Sequence, residues 1–390
     1  MEYNVASGFG AVGDGERNDH PAIQNALDAA RRKGGGTVFV PKGRFLIKNT
    51  LNIYSNIRLK LDDNAVIIRG DDFGNMLRPI ETPVKGYNGE HDFAVEGGTW
   101  DFNGNKIHSA GTALTFAHAR NVTLKDLRVI NVYRNHCVEI NSSYNVRVLN
   151  SVFDTQIGDR ASEAIQIDGA FRETVYPAFG EYDYTMCKHV LIDGCTFLNW
   201  SRGIGSHTRE DGYDHQDIKL TNNHFENIYD DGIRIYGYRG TVISGNTFDT
   251  CNTGILAEYC LDTIVSNNVI RNSRNNGINL YNEANGTVVS GNTVSHSANQ
   301  GISLYNKANN NVISNNVVRY NGKYGIVVNS SGNNLVSSNV LVNNGKDGSY
   351  ASIRLTNGAY ANHVEGNRAY GPNPDFSDVS SKGNNEADTY

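Results

Sequence analysis

Val242-Ile243-Ser244-Gly245-Asn246 recurs down the chain as Ile264-Val265-Ser266-Asn267-Asn268, Val288-Val289-Ser290-Gly291-Asn292, Val312-Ile313-Ser314-Asn315-Asn316 and Leu335-Val336-Ser337-Ser338-Asn339, at spacings of 22 to 24 residues. A Gly-Ile pair follows each of the first four copies: Gly254-Ile255, Gly277-Ile278, Gly301-Ile302 and Gly325-Ile326. Both segments alternate apolar and polar residues, the period-2 signature of a strand. No helix-length amphipathic pattern lies between them. Self-similarity at a period of roughly 20–50 residues marks a solenoid. The expected fold is all-β, a single right-handed parallel β-helix whose coils rise about 4.8 Å each. Asn246, Asn268, Asn292, Asn316 and Asn339 are expected to form an internal ladder of side-chain amides, a structural role and not a catalytic one.

Composition supports one elongated unit. The 390 residues contain 41 Gly but only 7 Pro, and mean hydropathy is -0.47. A disordered linker would be richer in Pro and charge; Gly and Asn instead serve tight turns, because both accept positive φ. An apolar fraction of 38% supplies a continuous core. No apolar run approaches the roughly 18 residues of a membrane helix. Met1–Gly13 lacks a basic region followed by an apolar one, so no Sec signal peptide is read. A net charge of -6 speaks against nucleic acid as a partner. The five cysteines, Cys137, Cys187, Cys195, Cys251 and Cys260, have no CxxC spacing and read as buried free thiols.

The period continues backwards through Gly232-Ile233, Gly203-Ile204, Ala164-Ile165, Cys137-Val138 and Ala113-Leu114. The longest insertion, Ala170–Lys188, carries Phe171, Tyr176, Phe179, Tyr182 and Tyr184. Thr208–Asp217 is a shorter, acidic one. Insertions in a solenoid gather on one face, often the binding face. The Glu210–Asp214 stretch is a candidate for Ca²⁺, but it lacks alternating ligand spacing, so a solvated loop is favoured and no cofactor is expected. At the N-terminus, Ile23, Ala26, Leu27 and Ala30 share one face of a helix over Pro21–Arg32 that would cap the solenoid. The expected organisation is an N-terminal cap over 1–45, the solenoid over 46–371 and a polar tail over 372–390.

With Ile and Leu pointing inward, each coil presents two outward positions on one sheet. One column reads Thr115, Glu139, Gln166, Gly205, Arg234, Leu256, Asn279, Ser303. The second reads Ala117, Asn141, Asp168, His207, Tyr236, Glu258, Tyr281, Tyr305. Ionisable residues concentrate between Glu139 and Glu258, in the coils that own the insertions. Asp168 and Glu139 sit diagonally on adjacent coils, about 8 Å apart at the α-carbons. A carboxyl pair separated by roughly 6.5–9.5 Å admits a water, as inverting glycosidases require. One carboxyl would act as general acid and the other as general base. His207 and Arg234 would orient or neutralise substrate groups. Gln166, Asn141, Glu258, Tyr281, Tyr305 and Tyr182 would bind sugar. Asp230-Asp231 reads as the closing of a turn.

Gly10–Gly15, Ala22-Ile23-Gln24 and Gly34–Pro41 resemble the N-terminal signature of pectate-lyase-superfamily β-helix proteins. That group includes polygalacturonase-like hydrolases, phage tailspike depolymerases and alginate C5-epimerase modules. The opening Glu2-Tyr3-Asn4-Val5 resembles the epimerase modules, yet their Asp-Pro-His-Glu motif is absent. Where the polygalacturonases have a paired Asp-Asp strand, a Gly-His-Gly turn and an Arg-Ile-Lys strand, this chain has Asp168 alone, Gly205-Ser206-His207 and Arg234-Ile235-Tyr236. The resemblance implies a polysaccharide as substrate.

Three functions compete at this point. The first is hydrolysis of an anionic extracellular glycan by Asp168 and Glu139. The second is elimination or C5-epimerisation of a polyuronate, with His207 or Tyr236 as base and Arg234 stabilising the enolate-like charge. The third is a non-catalytic, spike-like glycan binder. The expected location is extracellular or virion-associated, with a polysaccharide as partner, neither membrane nor nucleic acid, and a monomer or trimer as the assembly.

Overall fold

Val242–Ser244, Thr247–Asp249 and Thr253–Glu258 make one coil of three short strands. The next coil, Ile264–Ser266, Val269–Arg271 and Ile278–Tyr281, pairs with it strand for strand in parallel register. The computed structural model describes the chain except residues 81–82, 160, 172–179, 207, 347, 372–375, 380–384 and 388–390. It divides into Met1–His215 and Gln216–Tyr390. Each unit is a parallel β-solenoid with three stacks of strands, so the all-β fold expected from the repeat is the one observed.

In Gln216–Tyr390 the inward residues of the first stack are Ile243, Val265, Val289, Ile313 and Val336, all fully buried. The second stack contributes Phe248, Ile270, Val294, Val318 and Leu341, and the third Ile255, Ile278, Ile302 and Ile326. Burial of one such side chain is worth about 1.5–3 kcal/mol. Gly277 has no room for a side chain: a Cβ there would lie 2.3 Å from Val294 and 2.6 Å from the Gly301 carbonyl oxygen. The glycines of the Gly-Ile pairs are therefore set by core crowding. Those of the Ser-Gly-Asn segments answer the turn demand, since Gly245 and Gly291 have φ of 69° and 70°. Asn267 and Asn315 take the same conformation at the equivalent place, which explains why Gly and Asn alternate there.

The expected amide ladder is present. Along Asn223, Asn246, Asn268, Asn292, Asn316, Asn339 and Asn367, each of the first six passes a side-chain N–H to the Oδ1 of the next, at 2.9–3.1 Å. Each backbone N–H in the series bonds to the same oxygen. From Asn246 on, the second amide hydrogen reaches a backbone carbonyl of the preceding coil, as from Asn292 to Val265 at 2.9 Å. From Asn246 to Asn339 each ladder amide thus has partners for its buried polar atoms, as burial requires. Two further ladders were not foreseen: Asn334–Asn362–Asn385 and Asn321–Asn344.

Met1–His215 is less regular. The helix His20–Arg32 buries Ala22, Ile23, Ala26, Leu27 and Ala30, as its pattern predicts. Asp19 does not cap it; its carboxylate takes the N–H groups of Val12 and Gly13 at 2.8 and 2.9 Å and holds the Gly10–Gly15 turn. Strands Glu2–Asn4 and Gly36–Val40 pair with each other, so the 1–45 segment adds strands as well as a helix. In the other unit, Phe376–Asp378 pairs with Ile353–Thr356 beyond residue 371. All five cysteines are free and buried.

Candidate functional site

The outward columns have the register read from the sequence. In Met1–His215, Thr115 pairs with Glu139 and Ala117 with Asn141. Glu139 then pairs with Gln166, Asn141 with Asp168 and Gln166 with Gly205. In Gln216–Tyr390, Arg234 pairs with Leu256, Tyr236 with Glu258 and Glu258 with Tyr281. Asn279 pairs with Ser303 and Tyr305 with Asn329. The candidate residues thus divide between the units: Glu139, Asn141, Gln166, Asp168 and Tyr182 in one, Arg234, Tyr236, Glu258, Tyr281 and Tyr305 in the other. His207 lies outside the described residues, as do Tyr176 and Phe179.

Asp168 departs from the expectation of an outward, solvated carboxylate. Its position in the strand is the outward one, yet the residue is fully buried, as is Asn141. Gln166 Nε2 donates to Asp168 Oδ2 at 2.6 Å, and the Thr208 hydroxyl donates to Oδ1. Glu139 accepts from the hydroxyls of Thr112 and Thr115, both at 3.4 Å.

Two segments distant in sequence meet at His118, which follows the column residue Ala117. His118, fully buried, lies with its ring nitrogens 2.7 Å from the Gly86 carbonyl oxygen and 3.0 Å from that of Glu181. Gly86 N–H donates to Asp183 at 2.7 Å and Tyr87 OH to the Met186 carbonyl at 2.8 Å. The Gly86 N–H is one of the bonds that hold the Asp183 carboxyl below its ordinary range against the opposing effect of burial. Tyr182 is half-buried, whereas Tyr184 and Tyr213 expose 38% and 42% of their surface. Their rings lie 4.9 Å apart. The two insertions therefore meet, and the exposed aromatic pair is Tyr184 and Tyr213 rather than Tyr182.

A second buried cluster was missed in the sequence. Glu163 is fully buried and pairs with Arg202 at 3.3 Å. His136 Nδ1 is 2.7 Å from the Glu163 carbonyl oxygen and 3.8 Å from its carboxylate. Glu163 and Arg202 are register partners, two residues before the inward Ile165 and Ile204. His136 stands two before Val138. Extending the strand alignment by that interval would have found all three.

In the other unit, Glu258 is nearly buried and takes both Nη2 and Nε of Arg234, at 2.7 and 3.0 Å. Arg234 also lies 5.5 Å from the Tyr236 ring centroid. Tyr281 and Tyr305 are half-buried on the same outward column. Burial raises the Tyr305 hydroxyl above its ordinary range.

Residues 183–373 match a family model described as periplasmic copper-binding protein (NosD). Residues 3–77 match one described as rhamnogalacturonase A/epimerase, pectate lyase-like. The copper of the first description finds no donor set: among the described residues, no three His, Cys, Asp or Glu side chains are grouped to hold a metal. Burial pushes the thiols of Cys187, Cys195 and Cys251 up to about 12, far from the thiolate a metal needs.

The chain is 30% identical over 291 residues to plasmin and fibronectin-binding protein A of Streptococcus pneumoniae, a match covering 64% of this chain and 40% of that protein. The chain thus spans less than half the length of that relative. The crystal structure of PfbA, a surface adhesin of Streptococcus pneumoniae, superposes with a TM-score of 0.75 at 24% identity, over 88% of this chain and 90% of the other. The A-module of mannuronan C-5 epimerase AlgE6 of Azotobacter vinelandii gives 0.60 at 18% identity, over the whole of both chains. The chain therefore shares the parallel β-helix fold of these structures, and its residues 3–77 resemble the pectate-lyase-like family.

Proposed function

We propose that this chain binds polysaccharide along the outward face of its third stack, outside the cell or on a virion surface. The observation that supports it is the column Tyr236, Glu258, Tyr281, Tyr305 in Gln216–Tyr390, where partly exposed rings recur in strand register around one carboxylate. A tyrosine ring offers an apolar face and a hydroxyl together, matching a sugar's C–H face and its hydroxyls. The similar proteins include an adhesin and an epimerase module named for mannuronan. Among the described residues, no helix is long and apolar enough to cross a membrane.

One observation favours a second reading, acid–base hydrolysis at Asp168 and Glu139. Glu139 is the register partner of Gln166, and Gln166 bonds to Asp168, so two carboxylates share adjacent coils. The complete burial of Asp168 and its two occupied oxygens weigh against it. Elimination or epimerisation has less support, because Arg234 is already neutralised by Glu258.

The test is incubation with a panel of neutral and uronate polysaccharides. Retardation in affinity electrophoresis is followed beside reducing ends, ultraviolet absorbance of unsaturated products and proton NMR. Retention without product is expected. New reducing ends that vanish in Asp168→Asn would replace binding with hydrolysis. Unsaturated or epimerised product would replace it with the polyuronate chemistry.

A further inference from the structure

A cleft of about 350 Å³ in Gln216–Tyr390 is lined by Tyr259, Asn282, Glu283, Asn306, Lys307 and Ser330. None of these residues belongs to the outward columns. They directly follow Glu258, Tyr281, Tyr305 and Asn329, the column residues of four successive coils, so the cleft continues that column past the end of its strands. Tyr236 and Tyr259 pack edge to face at 5.6 Å. Asn282 donates to Glu258 at 3.3 Å, and Asn306 donates to Asn282 at 3.3 Å.

Tyr259, Glu283 and Lys307 have φ of 51°, 59° and 64°, the left-handed conformation that turns of the solenoid also take at Thr250, Tyr320 and Ala361.

Charge decides the ligand class. Lys307 pairs with Glu283 at 3.2 Å and Glu258 with Arg234 at 2.7 Å. The lining therefore offers an aromatic face, amides and a hydroxyl, with its charges matched internally. A volume near the lower end of ligand clefts, about 300–1,000 Å³, suits a small polar ring. We infer that this cleft is a subsite for an uncharged pyranose residue of the bound polysaccharide. The inference rests on the polysaccharide-binding function above and adds a position and a charge class to it.

Titration calorimetry with neutral gluco-, manno- and galacto-oligosaccharides, and with oligomannuronate and oligogalacturonate, tests it on the full chain. Tyr259→Asn removes the ring and keeps a residue that tolerates positive φ; it is expected to weaken neutral-sugar binding roughly three- to tenfold. Tyr259→Phe should retain most of the affinity, and the thermal midpoint of Tyr259→Asn should stay near that of the parent. Unchanged affinity in Tyr259→Asn, with binding lost in Tyr281→Ala, would overturn the subsite and leave the polysaccharide surface standing. Tighter uronate binding that disappears in Lys307→Gln would overturn the uncharged class. Failure of every probe to bind would overturn both.

Discussion

The two units bury polar groups in opposite ways. In Gln216–Tyr390 a polar residue sits above its own kind, Asn over Asn through seven coils. In Met1–His215 unlike groups meet: His136 and Arg202 at Glu163, Gln166 and Thr208 at Asp168. The reason is chemical. An amide both donates and accepts, so identical copies satisfy one another. A carboxylate only accepts and repels its own kind, so a buried acid needs an unlike partner and interrupts the repeat where it sits, as Glu258 does with Arg234 even in the regular unit. Irregular coils are where ionisable chemistry can be housed, and regular ones where an even surface can be offered.

The sharpest way to break this contrast is at Glu163. Glu163→Leu should lower stability to chemical denaturation by about 3–5 kcal/mol, since one partner of a buried pair is left alone. Glu163→Leu combined with Arg202→Met should recover much of that loss. Asn292→Ala interrupts the ladder, leaves the Val265 carbonyl and two Asn268 donors without that partner and takes one of the two donors from Asn316 Oδ1. About 2–4 kcal/mol of destabilisation is expected, with loss of hydrogen-exchange protection at Asn268. Gly277→Ala forces a methyl group against Val294 and should cost about 1–3 kcal/mol by the same denaturation assay. A loss of that size would confirm crowding as the reason for the glycine.

A pH series separates the units as well. Burial pushes His215 down to about 3 from 6.5, and its Nδ1 accepts the Cys187 N–H at 3.2 Å. The unfolded chain then binds the extra proton first, so stability should fall as pH drops from about 6.5 towards 3. The slope reaches at most about 1.4 kcal/mol per pH unit for one group. His215→Gln should flatten it. His363 shifts the other way, raised chiefly by its hydrogen bond to Glu365. Its small contribution is present below about 6.5 and fades as pH rises through the folded value, and Glu365→Gln should reduce it, Glu386 remaining as the second partner.

Much of the site was readable because side chains alternate strictly along a strand. Once Ile165, Ile233 and Ile255 were placed inside, Gln166, Arg234 and Leu256 had to face out, and the observed pairings agree. Asp168 shows where that logic stops. Alternation says which way a residue points and nothing about what lies above it. The segments around Gly86 and Glu181 come from far along the chain and meet at His118, and Thr208, from the second insertion, reaches the Asp168 carboxylate. The cleft beyond Tyr281 was missed for a related reason: Asn282, Glu283, Asn306 and Lys307 lie in turns, where no period assigns a direction.

The amino-acid sequence by itself determined the solenoid, the strand register and the Asn ladder. Each follows from a short-range repeat, and a repeat propagates one local geometry from coil to coil. Tertiary structure alone decided which outward residues meet solvent. It buried Asp168, paired Arg234 with Glu258 and opened the cleft at Tyr259. Those outcomes depend on contacts between coils and insertions, and such contacts leave no periodic trace in the chain.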